Sequence, residues 1–313
     1  MKYRTLGSTN LRVSVVGVGT WQYGGEWGMT FTQPDVDAIF DAAREAGINL
    51  IDTAECYGDH LSESLTGNAI ARDRDKWVLA TKFGHKFHEP FKRSEPRSPD
   101  DVRQQLEASL KAMKTDYVDL YQYHSWGDDK FFDDDVLAVL NDAKAAGKIR
   151  HIGNSIGSNR NAKQVEASQR MGIELIQVVY NRLDRAPEEA GVFDLCREQN
   201  LGVLARVPLA SGYLSGKYTT ASEFPENDVR SRWHKPEDRA AKLTEVQRIA
   251  EEELPAGVPM AQWALAWCLK HPAVTCVIPG CKNPEQVHGN AAAADLDLVS
   301  DDHPQAATAG RAD

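Results

Sequence analysis

The stretch FDAAREAGINLIDTAECYG, residues 40–58, decides how this chain is read. Ala42, Ala43, Arg44, Glu45 and Ala46 are good helix formers, and Gly47 stands where a helix stops. Ile48-Asn49-Leu50-Ile51 follows as a short, mostly apolar run that closes on Asp52, with Tyr57 in the next connection. Helix, glycine, then a buried strand ending on a polar residue is the repeating half of a βα unit.

Outward from this stretch the same alternation recurs. Strand-like runs are expected at 15–20, 48–52, 77–82, 118–124, 149–154, 174–179, 202–207 and 274–278. Helical segments are expected near 34–46, 62–72, 99–115, 133–147, 158–171, 187–200, 238–270 and 283–293. Starters such as Ser98-Pro99-Asp100-Asp101 and stops such as Ala146-Gly147 mark their ends. Short apolar strands that do not alternate are buried on both faces, as in a parallel sheet. Eight such strands alternating with helices predict an α/β fold, a single (β/α)8 TIM barrel. The rival, an open doubly wound sheet, needs G-x-G-x-x-G after its first strand. Gly17-Val18-Gly19-Thr20-Trp21 lacks the third glycine and does not enter a helix. One domain over 1–299 is expected, with an N-terminal β-hairpin at 1–14, a long rim loop at 210–237 and a loose tail at 300–313. The rim loop reads either as a lid over a ligand or as a mobile insertion.

Composition narrows the function. The 313 residues are 42% hydrophobic and 26% charged, with a formal net charge of −10. That charge argues against nucleic acid as a non-specific partner. No apolar run is long enough for a membrane span, and the start of the chain has no signal-peptide apolar region. Five scattered cysteines without a CxxC pair fit a reducing cytoplasm. A small molecule is the expected partner, and composition is silent on oligomeric state.

Asp52, Lys82 and His124 each close a predicted strand, and Tyr57 follows Asp52 closely. Parallel neighbouring strands would bring all four to one rim. A free phenol is a poor acid near neutral pH, and an adjacent ammonium should draw its pKa down, with Asp52 as counter-charge. His124 would donate a hydrogen bond to a substrate oxygen or help to move the proton. The set suits protonation of a developing alkoxide, as in carbonyl reduction, and the hydride must come from a cofactor.

The quoted stretch, with LATKFG, DLYQYH, GKIRHIGNS, IQVVYN, PLASGYLSGKY and VIPGCKNPEQV in order, resembles the aldo-keto reductase family from Tyr3 to about Asn290. The resemblance implies a barrel whose bottom the hairpin caps, an Asp52/Tyr57/Lys82/His124 tetrad and no metal. It implies an extended NADP(H) across the rim, preferred over NAD(H), in a bacterial type of enzyme that interconverts carbonyls and alcohols. By similarity, Gly19, Thr20 and Trp21 approach the cofactor. Ser155 and Gln177 hold the carboxamide, and Tyr180 stacks on the ring. Pro208, Leu209, Ser211, Gly212, Leu214 and Lys217 border the pyrophosphate. Gly280, Lys282, Gln286 and Asn290 meet the adenosine end, near a helix starting at Asn283. Trp21 and Trp126, with Tyr57 and His124, form the substrate pocket. Ile156 stands where the family often has Asn, and Gln286 where it often has Arg.

Each reading has a plainer rival. A rim Lys–Asp pair is by itself usually structural. His60, His85, His88 and His234 lack the pattern of a metal site and read as loop histidines. Cys56 reads as packing beside Tyr57. The run Asp128-Asp129 with Asp133-Asp134-Asp135 suits a helix N-terminus. Two other functions stay in view: a cofactor-binding regulatory subunit like the potassium-channel β subunits, and an unrelated barrel hydrolase.

Overall fold

A computed structural model describes residues 1–233 and 235–307. His234 and residues 308–313 lie outside the described residues. In chain order the strands are β1 (Tyr3–Thr5), β2 (Arg12–Ser14), β3 (Val18–Gly19), β4 (Leu50–Asp52), β5 (Val78–Phe83), β6 (Lys86–Glu89), β7 (Lys92–Ser94), β8 (Val118–His124), β9 (Ile149–Ser155), β10 (Ile173–Val179), β11 (Gly202–Arg206) and β12 (Cys276–Val277). Eight of them form one parallel sheet in the order β12-β11-β10-β9-β8-β5-β4-β3. Bridges Val16↔Val277 and Gly19↔Gly280, both parallel, join its two edges, so the sheet closes into the (β/α)8 barrel.

The local reasons are visible at the quoted stretch. The helix Gln33–Glu45 opens on a capping box between Thr32 and Asp35 and buries Val36, Ile39, Phe40, Ala42 and Ala43. Gly47 takes φ +72 just past its end, a conformation that side chains resist. Strand β4 then enters the barrel fully buried.

Two apolar layers hold the barrel. Leu50, Val78, Ala80, Leu120, Leu175, Leu204, Cys276 and Ile278 fill its interior, together with Leu6 and Val13 of the β1–β2 hairpin, which plugs the bottom. A larger cluster lies between strands and helices, from Val36 and Phe40 to Val287 and Ala294.

The structure departs from the sequence reading in five places, one being the segment 158–171, which is α-helix only over Ala162–Glu166. Residues 300–307 are not a loose tail: Thr5 N donates to Gln305 O at 2.7 Å, and Ala307 N donates to Tyr3 O at 3.0 Å. The Gln305 side chain also meets Thr275 Oγ1 at 2.5 Å and reaches Leu201 O at 3.2 Å, so this segment pairs with β1. The segment 187–200 is two short helices, Ala186–Glu189 and Val192–Glu198, divided at Gly191 (φ +74). The segment 238–270 is likewise two, Pro236–Glu252 and Met260–Leu269, with Pro255 and Pro259 between them. A second antiparallel hairpin, β6–β7, rises on the rim, where the sequence suggested only loop.

Candidate active site

Strand register sets the heights of the site residues. Gly19 lies beside Asp52, Lys82 beside Gln122, and His124 beside Ser155, which in turn pairs with Gln177. Asp52 and His124 end their strands on one rim, and Lys82 reaches the same level from β5. Tyr57 hangs in the turn after β4, its N–H donating to Ala54 O at 3.1 Å and its carbonyl accepting from Ser62 N at 3.1 Å.

Lys82 Nζ donates to Asp52 Oδ2 at 2.7 Å, to Thr53 O at 2.7 Å and to the Tyr57 hydroxyl at 3.3 Å. Gln177 Nε2 donates to Asp52 Oδ1 at 2.7 Å, which fixes the carboxylate from its other side. The Tyr57 ring lies 6.0 Å from Trp21, nearly parallel, and 6.1 Å from His124, edge to face. Cys56 Sγ is 3.7 Å from His124 Nδ1.

Burial governs the charges. It lowers the Lys82 amine, against the pull of Asp52. His124 is held well below its usual value by burial and then by the neighbouring His85, Lys82, Arg206 and Arg93, so its imidazole is neutral near pH 7. Tyr57 is raised well above the phenol value, by burial first and Asp52 second, with Arg206 and Arg93 pulling the other way. The expectation that Lys82 draws the phenol down is thus overturned in the free protein. The ammonium is paired with Asp52, and the phenol is largely buried, with only part of the ring reaching the cavity.

A cavity of about 540 Å³ opens in front of these groups. Trp21, Tyr57, His85, Arg93 and His124 line it, as do Lys217, Arg230, Lys282, Gln286 and Asn290, and Trp27 stands between Trp21, at 5.0 Å, and the Arg230 guanidinium, at 5.6 Å. Gly19, Thr20, Asp52, Gln177, Pro208, Leu209, Ser211, Gly212 and Gly280 line it as well. The rim loop crosses beside it: Trp27 bridges Asp228, and Val229 N donates to Glu26 O at 2.9 Å.

Five expected residues do not line this cavity, Lys82 among them, which is buried behind Tyr57 and Asp52. Tyr180 is enclosed by Phe193 at 4.8 Å and Trp267 at 5.3 Å, and its hydroxyl donates to Glu188 Oε2 at 3.2 Å. Period-two alternation explains it: Gln177 faces inward, so Tyr180 falls on the helix side. Trp126 packs on Phe83 at 5.4 Å and Tyr123 at 5.0 Å, behind the rim. Leu214 is fully buried with Leu243, Val246 and Trp263. Ser155 sits behind Gln177, its hydroxyl donating to Oε1 at 3.2 Å.

Other cavity residues went unread. Arg206 ends β11 as Asp52 ends β4, and the same strand-end logic finds it. Its Nε is buried without a partner among the described residues. Arg93 comes from β7, and Glu26, fully buried, accepts from Trp21 Nε1 at 3.0 Å and from Arg93 Nη2.

The residues fit a dinucleotide. The cavity runs from a proton-bearing phenol to three cations, Lys217, Arg230 and Lys282, with Asp228 the acid beside Arg230. Lys282 is lowered by burial first and then by Arg230, as crowded cations are. Gln177 and Arg206 offer amide and guanidinium hydrogens between the two ends.

A closed parallel barrel with a buried Asp–Lys–Tyr cluster and a neutral imidazole facing an elongated cationic cavity defines a class of cofactor-using proton-transfer enzymes. Comparison with known proteins agrees. The pattern of the Aldo/keto reductase family matches residues 15–309. The NADH-specific methylglyoxal reductase of Escherichia coli (strain K12) is 32% identical, over 96% of this chain and 96% of its own. The holo form of aldo-keto reductase AKR11C1 from Bacillus halodurans superposes with a TM-score of 0.80 at 30% identity, over 97% of this chain and 94% of that one. The glycerol dehydrogenase AKR11B4 from Gluconobacter oxydans gives a TM-score of 0.78 at 29% identity, over 93% and 89%. The chain belongs to the aldo-keto reductase family, whose members use nicotinamide cofactors.

Proposed function

We propose that this protein reversibly reduces small aldehydes or ketones to alcohols with NADP(H), Tyr57 giving the proton. The observation that carries the reading is the Tyr57 hydroxyl 3.3 Å from Lys82 Nζ, at the wall of a cavity that His124 also lines. When bound, the nicotinamide cofactor supplies the hydride. Gln177, Arg206 and the Gly19–Trp21 turn would hold its nicotinamide end, and Lys217, Arg230 and Lys282 its phosphates.

The chain's own groups then divide the work. His124, neutral, donates a hydrogen bond to the carbonyl oxygen and orients it. Tyr57 holds its proton firmly in the free protein and transfers it only as negative charge grows on that oxygen. Lys82 lies close enough to stabilise the phenolate that results, and Asp52 keeps Lys82 protonated although it is buried.

The preference for NADP(H) rests on the three cations at the far end. Gln286, a neutral amide, adds no charge there, and its Oε1 accepts from Lys282 N at 3.0 Å. The NADH-specific relative makes this the sharper part of the proposal, and equilibrium titration with NADPH and NADH decides it. That relative acts on methylglyoxal and another is a glycerol dehydrogenase, so small oxygenated carbonyl compounds are the substrates to screen first.

Replacing Tyr57 with Phe should lower carbonyl reduction by about 10²- to 10⁴-fold while NADPH still binds. A Phe variant that turns over near the parent rate refutes the acid assignment. A parent enzyme that binds NADPH yet reduces no carbonyl in steady state favours the regulatory-subunit reading.

A further inference from the structure

The hairpin β6–β7 brings one cation to the substrate end of the cavity. Arg93 lies on β7, and its guanidinium is partly exposed beside Cys56, Tyr57 and His124. Nη2 is fully engaged: it donates to Glu26 Oε2 and to Cys56 O at 3.4 Å. Glu26 is itself tied by Trp21 Nε1 at 3.0 Å and Phe91 N at 2.8 Å, so the guanidinium is anchored from behind rather than left to swing. Among the described residues no oxygen accepts from Arg93 Nε or Nη1. Among the described lining residues Asp52 is the one carboxylate, and Lys82 holds it at 2.7 Å.

We infer that Arg93 is a specificity residue that binds an anionic group, carboxylate or phosphate, carried by the carbonyl substrate. The inference rests on the carbonyl-reductase reading above and names the substrate class of that same site. A planar guanidinium fixed in place, bonded besides Glu26 and the Cys56 carbonyl only by the weakly accepting Cys56 thiol, matches the two oxygens of such a group. Glu26 balances the charge of Arg93, so recognition comes from direct hydrogen bonds near the reacting carbonyl rather than from a long-range field. Trp21, 6.0 Å from the Tyr57 ring and bonded to the same Glu26 as Arg93, supplies an apolar wall there.

Two matched pairs test this: succinic semialdehyde against butanal, and glyceraldehyde 3-phosphate against glyceraldehyde. The parent should favour at least one anionic member in kcat/KM. The Arg93→Gln variant should collapse that anionic-to-neutral ratio on the order of 10- to 100-fold, mostly through KM, and Arg93→Lys should restore part of it. The pair that responds tells carboxylate from phosphate. A purely structural role for Arg93 would depress both members alike and leave the ratio unchanged, which overturns the inference, as does a parent without anionic preference in either pair.

Binding is read separately by isothermal titration calorimetry of the NADPH-loaded protein with glycerol 3-phosphate, succinate or glycerol. If an anion binds and Arg93→Gln weakens it tenfold or more, the anion site stands even should no carbonyl be turned over, and only the reductase reading falls. If neither anion binds better than glycerol, the site is refuted although reduction of neutral aldehydes may persist.

Discussion

In the proposed reaction the Cys56 thiol, 3.7 Å from His124 Nδ1, would decide which ring nitrogen meets the substrate. Burial pushes the thiol up to about 12, so it carries its hydrogen at neutral pH and can donate to Nδ1. The neutral imidazole then bears its own hydrogen on Nε2, where a carbonyl oxygen can accept it. Cys56→Ser should keep this tautomer, while Cys56→Ala should mix the two forms in the ¹⁵N spectrum and lower kcat by about 3- to 10-fold. An unchanged spectrum in the Ala variant would remove Cys56 from the argument. Tyr57 leads to a pH prediction of definite sign. Its raised pKa keeps the phenol protonated, so reduction should not decline from about pH 6 to about pH 9 through loss of that proton. Alcohol oxidation needs the phenolate and should quicken across the same window. A falling limb for reduction within that window would contradict the direction of the shift.

The turn that carries Tyr57 is positioned by another element, the short helix Trp21–Gly24. A Cβ on Gly24 would lie 2.6 Å from the Tyr57 carbonyl carbon and 2.8 Å from Gly58 N, and Gly58 itself holds φ +72. The two backbones touch because neither glycine has a side chain, and the contact fixes Trp21 and Tyr57 relative to each other. Gly24→Ala should therefore cut kcat on the order of tenfold to a hundredfold by moving the phenol, with the melting temperature lowered by a few degrees. Parent-like turnover would mean the turn yields without moving Tyr57. At this scale the sequence was legible where strands are buried on both faces, because each reads as an apolar run with a polar last residue. Asp52, Lys82 and His124 were found that way. Tyr180 was misplaced because the position after a strand end depends on side-chain parity, which resemblance to a family does not fix. The β6–β7 hairpin escaped because exposed strands such as Lys86–Glu89 have no apolar face to announce them. The breaks at Gly191 and Pro255 were visible in the residues, but the apolar spacing on either side reads as continuous helix.

For the whole molecule, one buried acid contributes a pH dependence of stability with a definite sign. Glu55 is 5% exposed, and burial, followed by repulsion from Glu63, raises its carboxyl to about 9. The folded protein thus holds a proton there that the unfolded chain releases above its ordinary carboxyl value. The unfolded state binds fewer protons over that interval, so stability falls as pH rises from about 4.5 to about 9. Glu55→Gln keeps an oxygen to accept from His85 N, now at 3.1 Å, and removes the titration. It should raise stability at about pH 8 by roughly 1 to 3 kcal/mol and flatten the fall, as read by urea unfolding at several pH values. Equal slopes for parent and variant would show that Glu55 is ionised in the fold. Such a dependence belongs to the closed barrel as a unit, since Glu55 is walled in by loops from both β4 and β5.

The pairing of residues 305–307 with β1 puts both described ends of the chain underneath the barrel, with the catalytic mouth on the far side. A support coupled to the surface near Tyr3 or Ala307 would therefore leave the opening turned to the solution, its ligands free to come and go.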